Sequence, residues 1–283
     1  TVQRPTASVW AMTLDFSDPF TERTPRIVNA AKLHRSAARK KADQFIVEGE
    51  NAVEAAVATG AARDVFVTEQ AAERFAEILV TCGHMGVYVH PITDKAARSL
   101  SDTVTTTGLF AVCEPVLWTV GKALRGRPQL VSVPVETSEP GNAGTLIRVA
   151  DAMGADAVVF AGETTDPQSS KAARASAGSL FHLPVARNAN TKDVLGQLRA
   201  AGLQILATAA DGEVELDDAG ELLTKPTAWL FGNEAHGLGE ELLAAADHRV
   251  RIPIRGRAES LNLATAASIC LYESAKAQAR TRG

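Results

Sequence analysis

The sequence predicts an α/β protein built from two units, the second formed around a mostly parallel sheet. Strand-like segments that are apolar throughout alternate with helix-like segments, which is typical of a parallel sheet covered on both faces. A polar stretch with glycines and a proline, residues 118–128, separates two runs of this alternation and is interpreted as a linker. We therefore expect a smaller unit at residues 25–117 and a larger one at 129–283, preceded by an extension over residues 1–24 without sustained periodicity.

The smaller unit is expected to alternate helices with short strands. Helical spacing of apolar residues, or alanines running up to a glycine, predicts helices at residues 28–41, 51–60 and 71–83. Runs of β-branched and aromatic residues predict strands at residues 45–48, 64–68, 86–90 and 109–115, and Pro115 ends the last of them.

The larger unit repeats the alternation over a longer stretch. Apolar runs predict strands at residues 130–136, 156–162, 183–187, 204–210, 227–234 and 248–254. Helices are predicted between them at residues 143–154, 169–178, 191–201, 239–246 and 260–279. The last of these is long and rich in alanine, so it could pack within the chain or against a second copy.

The composition narrows the class of protein. Of the 283 residues, 46% are hydrophobic and 22% are charged, which is typical of a globular protein in water. The sequence has no apolar run long enough for a membrane span and no secretory signal, so we expect a cytoplasmic protein with no membrane partner. Three cysteines, Cys82, Cys113 and Cys270, follow no metal-ligand spacing, so we expect buried thiols and no metal site.

Positive charge is concentrated near the start of the chain. The net charge is −4, yet residues 21–41 carry seven basic residues against a single acidic one. Such a cluster could neutralise phosphates of a nucleic acid. It could equally be a solvated helix face, and charge alone leaves both interpretations open.

The first of three unusual loops in the larger unit is residues 139–148. Pro140 starts a turn, Asn142 is placed to cap the following helix, and Gly144 permits a close backbone approach. Arg148 then lies in the helix. The loop could be an ordinary helix start or a phosphate-binding loop, although it fits neither G-x-G-x-x-G nor the P-loop pattern.

The second loop, residues 230–239, places Asn233 and Glu234 among glycines in a tight turn. Glu234 could be a structural hydrogen-bond acceptor or a catalytic group, and His236 is interpreted as an exposed loop residue.

The third loop lies within residues 252–273. Ser260 could cap the last helix, and the position of Asn262 in the expected first turn favours a polar role for its side chain.

Together, in this order, the three loops resemble the motifs of the SpoU/TrmH group of the SPOUT methyltransferases. The matching residues are Pro140, Asn142, Gly144 and Arg148; Gly232, Asn233 and Glu234; and Ile252, Pro253, Ser260, Leu261 and Asn262. Residues 171–185 resemble another segment of this family, and residues 32–57 resemble the start of its substrate-binding domain, which is similar to ribosomal protein L30e. The chain departs from the pattern at Glu136 and Thr137, where an aspartate is frequent, and at Ala235, where a glycine is usual.

The resemblance implies a fold and a cofactor. It implies a SPOUT fold with a deep trefoil knot, a homodimer whose active site is completed by the partner, and S-adenosylmethionine as the methyl donor. By resemblance, the cofactor-binding residues are Thr208, Ala209, Gly232, Asn233, Ile252, Pro253 and Leu261.

The resemblance also implies the catalytic residues Arg148, Asn142, Glu234, Ser260 and Asn262. An arginine stays protonated in proteins, so we interpret Arg148 as a positioning and electrostatic group, with a role as base kept as a hypothesis. The candidates for RNA phosphate contacts are Arg35, Arg39, Lys40, Lys41, Lys171 and Arg174.

The expected activity is 2′-O-methylation of a ribose in RNA. Because the smaller domain resembles a ribosomal protein, ribosomal RNA, and 23S RNA in particular, is favoured over transfer RNA. The alternatives are a transfer RNA methyltransferase and a catalytically silent RNA-binding or ribosome-assembly factor of the same fold. A doubly wound enzyme for small molecules is a further alternative, but it would need a phosphate motif that the sequence lacks.

Overall fold

The computed structural model describes residues 14–282, so residues 1–13 of the expected extension lie outside the described residues. The chain divides into two compact units. The first contains the described residues up to Pro115 together with Gln168–Phe181, and the second contains Val116–Pro167 and the residues from His182 onward. We expected residues 168–181 in the larger unit, but they belong to the first unit. Local periodicity does not indicate which unit a segment packs with.

Regular structure runs through both units. The helices are α1 (Pro25–Ala31), α2 (Ser36–Ala42), α3 (Glu50–Ala58), α4 (Glu69–Arg74), α5 (Ala76–Met85), α6 (Asp94–Leu100), α7 (Val120–Ala123), α8 (Pro140–Ala152), α9 (Ser170–Ala175), α10 (Thr191–Ala200), α11 (Glu240–Ala245) and α12 (Leu263–Arg282). The strands are β1 (Phe45–Glu48), β2 (Ala62–Val67), β3 (Tyr88–Pro91), β4 (Leu109–Cys113), β5 (Leu117–Trp118), β6 (Leu130–Pro134), β7 (Ala157–Ala161), β8 (Val185–Asn188), β9 (Gln204–Thr208), β10 (Val214–Glu215), β11 (Thr227–Phe231) and β12 (His248–Arg251).

The first unit has a mixed sheet in the order β1-β4-β2-β3. Strand β4 is antiparallel to both β1 and β2, whereas β3 is parallel to β2. Helices α1 and α6 pack on this sheet, and the core between them is built from side chains such as Ile27, Phe66, Leu100 and Phe110. The alternation of short strands and helices predicted for this unit is confirmed.

The predicted single helix at residues 28–41 is wrong in detail. It is divided into α1, a 3₁₀ turn at Lys32–His34 and α2, and Arg35 between them has an extended backbone. The buried side chain of Arg39 donates hydrogen bonds from Nη1 to the carbonyl oxygens of Leu33 and His34, at 3.0 and 2.9 Å. These bonds satisfy carbonyl groups that a continuous helix would pair with backbone N–H groups.

The second unit is built around an eight-stranded sheet among the described residues, in the order β10-β12-β9-β11-β6-β7-β8-β5. Each neighbouring pair of strands in it is parallel. Strands β6, β7 and β11 are buried throughout, as their continuous apolar sequences predict. The predicted α/β fold with a parallel sheet is confirmed. The residues expected to form a linker include α7, and β5 forms an edge of this sheet.

Helix α12 packs against the sheet of the second unit through polar as well as apolar contacts. The buried ring of Trp229 donates a hydrogen bond from Nε1 to Ser274 Oγ at 2.8 Å. Gln278 Nε2 donates to the carbonyl oxygens of Gln129 and Lys225, at 2.9 and 3.1 Å. Ser274 and Gln278 lie one turn apart, so these bonds fix the second half of α12 to the sheet.

Within residues 14–282 no helix is long and apolar enough to cross a membrane. In the same range, no group of three or more His, Cys, Asp or Glu side chains could hold a metal ion.

Candidate functional site

A pocket of about 580 Å³ lies in the second unit, beyond the carboxyl ends of β9, β11 and β12 and beside the start of α12. Ligands of open parallel sheets bind at this edge. Six of the seven residues predicted to bind the cofactor line the pocket, and these are Thr208, Ala209, Gly232, Asn233, Ile252 and Leu261. Pro253 is not part of its wall.

The chemistry of the wall limits the ligand. Apolar groups such as Ala210, Val250 and Ala266 form part of it, and Glu234 and Glu259 supply carboxylates. Among the described residues that line the pocket, none is a lysine, arginine or histidine. The pocket thus offers no side-chain cation to a phosphate, whereas its carboxylates favour a positively charged ligand and its apolar groups suit an adenosine that carries a sulfonium.

Asn142 contributes to the site in a way that the sequence did not predict. The N-cap of α8 is Glu139, whose side chain accepts from the N–H of Gly141 at 3.3 Å, and Pro140 is the first helical residue. The expectation that Asn142 caps this helix is wrong, because it lies inside the first turn. Its Nδ2 donates to Glu234 Oε1 at 2.7 Å, so the first and second loops are joined directly.

Residues 233–237 form a tight turn closed by backbone hydrogen bonds between Asn233 and Gly237 in both directions, at 3.0 and 2.9 Å. Asn233 Oδ1 accepts from the N–H of Ala235 at 2.8 Å, and its Nδ2 donates to the carbonyl oxygen of Glu136 at 2.7 Å. A side chain at Gly232 would come within 2.4 Å of the Gly237 backbone, so only glycine fits there. The turn presents Glu234 to Asn142.

The third loop shows a second correction. Helix α12 begins at Leu263, and Asn262 Oδ1 accepts from the N–H groups of Ala264 and Thr265 at 2.9 and 3.3 Å. Asn262 is therefore the cap of this helix, and the expectation that Ser260 caps it is wrong. Both Ser260 and Asn262 line the pocket.

Arg148 stands apart from the pocket wall. Its side chain is exposed on α8, and the described residues offer it no hydrogen bond and no ion pair. Of the five predicted catalytic residues, the structure brings together Asn142, Glu234, Ser260 and Asn262.

A pair of residues near this site was missed from the sequence. Glu136 follows β6 with a positive φ of 50°, and its Oε2 lies 3.5 Å from Nε2 of His236 on the tight turn. The sequence marked Glu136 only as a departure from the family pattern. A histidine in the same short turn as Asn233 and Glu234 was the one available indication of the pair.

Three ion pairs hold residues 249–255, where β12 runs into the third loop. They join Arg249 to Glu213, with Nε and Oε2 2.9 Å apart, and likewise Arg251 to Glu215 and Arg255 to Asp217. The backbone N–H of Arg249 and, in addition, its guanidinium lower the pKa of Glu213 below its ordinary value. We call residues 213–217 the acidic strap.

The residues predicted to contact RNA phosphate lie in the first unit. Arg35, Lys40, Lys41 and Lys171 are exposed, and Arg174 forms an ion pair with Asp102. Arg39 is buried with its guanidinium bound to backbone carbonyls, so the prediction that it contacts phosphate is wrong.

Two family models match the chain. A model described as the SpoU rRNA methylase family matches residues 129–272, and one described as the MRM3-like substrate binding domain matches residues 24–111. The chain is 34% identical over 245 residues to the 23S rRNA (guanosine(2553)-2′-O)-methyltransferase RlmP of Bacillus subtilis, covering 85% of this chain and 92% of that protein. It is also 34% identical over 206 residues to the 23S rRNA (uridine(2479)-2′-O)-methyltransferase of Streptomyces viridochromogenes, covering 64% of this chain and 71% of that protein.

Solved structures show the same similarity. An AdoMet-bound rRNA methyltransferase from Sinorhizobium meliloti superposes with a TM-score of 0.80 at 30% identity, covering 92% of this chain and 97% of that one. The SpoU methyltransferase AviRb from Streptomyces viridochromogenes, in complex with AdoMet, superposes with a TM-score of 0.79 at 28% identity, covering 92% of this chain and 100% of that one.

Proposed function

Because the chain belongs to the SpoU rRNA methylase family, we propose that it transfers a methyl group from S-adenosylmethionine to a ribose 2′-oxygen of ribosomal RNA. The observation that carries the proposal is the bond from Asn142 to Glu234, which joins two separate motifs of the resemblance beside the pocket. A catalytically silent factor would be favoured had the asparagine, arginine and serine of the motifs been lost, and Asn142, Arg148 and Ser260 are all present.

The pocket residues fit the cofactor. Thr208, Ala209, Gly232, Ile252 and Leu261 would hold S-adenosylmethionine largely through backbone groups and apolar contact. When bound, S-adenosylmethionine supplies an activated methyl group on a sulfonium. The turn that carries Asn233 and Glu234 forms one wall of this pocket, so Asn142 would orient the Glu234 carboxylate toward the reacting groups.

The remaining predicted residues would position the ribose. A ribose hydroxyl is a weak acid, so its oxygen must be oriented and its developing negative charge stabilised. The exposed guanidinium of Arg148 is available for that task, as a positioning and electrostatic group. Ser260 and Asn262 would hold the ribose or the cofactor from the start of α12.

We further propose that residues 25–117 bind the RNA and that residues 129–283 carry the catalytic site, with 118–128 between them. Arg35, Lys40 and Lys41 supply exposed positive charge on the first unit. The relatives named as 23S rRNA methyltransferases favour 23S RNA as the substrate. Transfer RNA is the alternative outcome of the test below.

The proposal includes a cytoplasmic homodimer and the deep trefoil knot that the resemblance implies. Exposed apolar side chains could contact a second copy: Ile254 in the pocket wall is 40% exposed, and Tyr272 on α12 is 53% exposed. Light scattering coupled to size-exclusion chromatography tests the dimer directly, since it reports one or two copies of the chain.

The proposed reaction is tested with labelled methyl groups. S-adenosylmethionine carrying a labelled methyl is incubated with the protein and with separate 23S, 16S and transfer RNA pools from cells that lack it. Label in 23S RNA supports the proposal, and label confined to transfer RNA would mean that the protein is a transfer RNA methyltransferase. Absence of label from each pool, with cofactor binding intact, would leave the silent factor.

A further inference from the structure

Residues 118–127, within the segment expected to be a linker, are part of the folded second unit. Trp118 ends β5, which pairs in parallel with β8 at an edge of the eight-stranded sheet. The side chain of Thr119 caps α7 by accepting from the N–H of Lys122 at 3.4 Å. Pro128 is buried just before β6 begins. The segment is therefore attached to the unit at both ends, and its side chains are held at defined positions.

The indole ring of Trp118 is only partly covered. The residue is 38% exposed, whereas Trp229, the other tryptophan of this unit, is fully buried. The ammonium of Lys122 lies 4.3 Å from the centroid of the Trp118 ring, which is a cation–π contact. An aromatic surface and a cation are thus presented together to solvent.

Three cations of this segment, Lys122, Arg125 and Arg127, have no acidic partner. All of them are exposed, and none forms an ion pair within the described part of the chain. Residues 115–135 contain no aspartate or glutamate, so no carboxylate is close along the chain. The segment therefore carries uncompensated positive charge in a protein whose net charge is −4.

The turn after α7 holds its arginines in a fixed backbone conformation. Gly126 and Arg127 have positive φ angles of 88° and 60°, and an arginine adopts such an angle only at a cost. Gln129 Nε2 donates to the carbonyl oxygen of Arg127 at 3.1 Å. Asp156 Oδ2 in turn accepts from the backbone N–H of Gln129 at 2.6 Å. This carboxylate is therefore engaged by the backbone that follows the turn, and the arginine side chains stay available for a ligand.

An exposed aromatic ring beside unpaired cations suits single-stranded nucleic acid. Each base has a flat face that can stack on an aromatic side chain, and each phosphate can be neutralised by a lysine or an arginine. An acidic polypeptide could pair with the cations, but its carboxylates offer nothing that stacks on an indole. The combination of ring and charge therefore favours RNA over an acidic protein.

We propose a second RNA-binding surface, the basic edge, formed by Trp118, Lys122, Arg125 and Arg127. It takes a single-stranded segment of the substrate RNA, with one base stacked on Trp118 and the neighbouring phosphates bound by the three cations. The inference rests on the proposed function, in which RNA is the substrate. It adds a binding surface to the catalytic unit, and none of its residues lines the pocket.

The stacking is tested by the fluorescence of Trp118. A single-stranded oligouridine of about 12 nucleotides is titrated into the wild type and into Trp118→Phe. A stacked base quenches indole emission, so we expect quenching in the wild type and loss of most of it in Trp118→Phe. An RNA duplex of the same length is the control ligand, because its bases are already stacked, and it should leave the emission nearly unchanged.

The affinities of two Trp118 variants separate the ring from the residue. Filter binding with the same oligouridine should give Trp118→Phe an affinity within about threefold of wild type, since phenylalanine keeps an aromatic face. Trp118→Ala should bind about 5- to 150-fold more weakly, as expected for loss of one base stack. Urea unfolding of each variant checks that the edge strand remains folded.

The cations are tested by the salt dependence of RNA binding. In a variant that combines Lys122→Ala, Arg125→Ala and Arg127→Ala, the slope of log affinity against log salt should fall by about 0.7 for each lost phosphate contact, hence by roughly 2. The matched control is Lys192→Ala, since Lys192 is an exposed cation of the same unit that is paired with Glu241 at 2.8 Å. In methyl transfer to 23S RNA, the triple variant should raise KM by about tenfold and keep kcat within about twofold.

The outcomes separate this inference from the proposed function. Quenching that persists in Trp118→Phe, or equal quenching by the duplex, overturns the stacking. A triple variant with the slope and KM of the wild type overturns the phosphate contacts, and tighter binding of polyglutamate than of oligouridine would assign the surface to an acidic protein. Failure of the wild type to methylate RNA contradicts the proposed function, whereas the basic edge is judged by the quenching of Trp118 alone.

Discussion

Asn142 Nδ2 donates a hydrogen bond to Glu234 Oε1 at 2.7 Å, which joins two residues 92 positions apart. Neither residue is buried, so their contact is not needed to fill the core. The bond instead fixes the start of α8 to the turn that forms part of the pocket wall. It is the contact on which the proposed site depends most.

Replacing Asn142 or Glu234 by alanine is expected to slow methyl transfer. A hydrogen bond to a charged group contributes about 1.5 to 3 kcal/mol, so each variant should lose roughly 10- to 100-fold in rate. The double variant should lose little more than either single one, because the two residues act together. Single-turnover rates of the four proteins measure this cycle, and fully multiplicative losses would show that the bond has no role.

Replacing Arg148 by alanine is expected to remove most of the activity and little of the cofactor binding. Loss of one group that stabilises developing charge typically costs about 100- to 1,000-fold in rate. Arg148 is not part of the pocket wall, so calorimetry should give an affinity for S-adenosylmethionine within about twofold of wild type. Lysine at this position should recover only part of the rate, because it lacks the planar guanidinium. Activity within tenfold of wild type in the alanine variant would contradict this role.

Replacing Arg35, Lys40 and Lys41 together by alanine is expected to lower the affinity for RNA. The affinity of the variant should also depend less steeply on salt concentration. Each lost phosphate contact should reduce the slope of log affinity against log salt by about 0.7 to 0.9. The matched control is Arg63→Ala, since Arg63 is an exposed cation of the same unit that is paired with Glu114 at 3.6 Å. Filter binding at several salt concentrations measures both variants. Equal slopes for the triple variant and wild type would mean that the RNA binds to another surface.

The acidic strap is expected to contribute little to stability. The pair Arg251–Glu215 is exposed, and pairs of this kind contribute less than about 1 kcal/mol. A double-mutant cycle of Arg251→Ala and Glu215→Ala, followed by urea unfolding, should give a coupling of this size that vanishes in about 1 M salt. Coupling that persists at high salt would mean that the pair is shielded from solvent.

Stability is expected to fall at alkaline pH because of the buried thiols. Burial raises the pKa of Cys82 to about 11, and it also raises the pKa of Cys113 and Cys270. An unfolded thiol ionises near pH 8.5, so above that pH the unfolded chain releases protons that the folded chain keeps. The contribution of the buried thiols to the free energy of unfolding is fully present below about pH 8 and is lost as pH rises. For Cys82 the loss is roughly 1 to 2 kcal/mol at about pH 10. Urea unfolding at both pH values measures the loss, which should be smaller in Cys82→Ala; an equal loss there would contradict the assignment.

Local patterns predicted the elements that depend on local chemistry. The apolar runs of β6, β7 and β11 indicated buried parallel strands because such strands have no solvent-facing residues. The glycines around Asn233 indicated a tight turn, and a side chain at Gly232 would indeed collide with it. All seven predicted cofactor residues came from the resemblance, and six of them line one pocket.

The features that depend on distant contacts were not predictable in this way. Asparagine is a residue type that often caps helices, and only the partner of Asn142, 92 residues away, shows that it acts otherwise. Arg39 belongs to a run of basic residues, yet its bonds to Leu33 and His34 bury it. The pairing of Glu136 with His236 joins two residues that the sequence treated separately.

The most direct measurement is nucleoside analysis by mass spectrometry of 23S RNA from cells that lack this protein, after incubation with the pure protein and S-adenosylmethionine. We expect one additional 2′-O-methylated nucleoside, protected from alkaline cleavage at a single linkage, and its absence when Arg148→Ala replaces the wild type. A methyl group on a base, or no new methylated nucleoside in 23S RNA, would contradict ribose methylation of ribosomal RNA by this site.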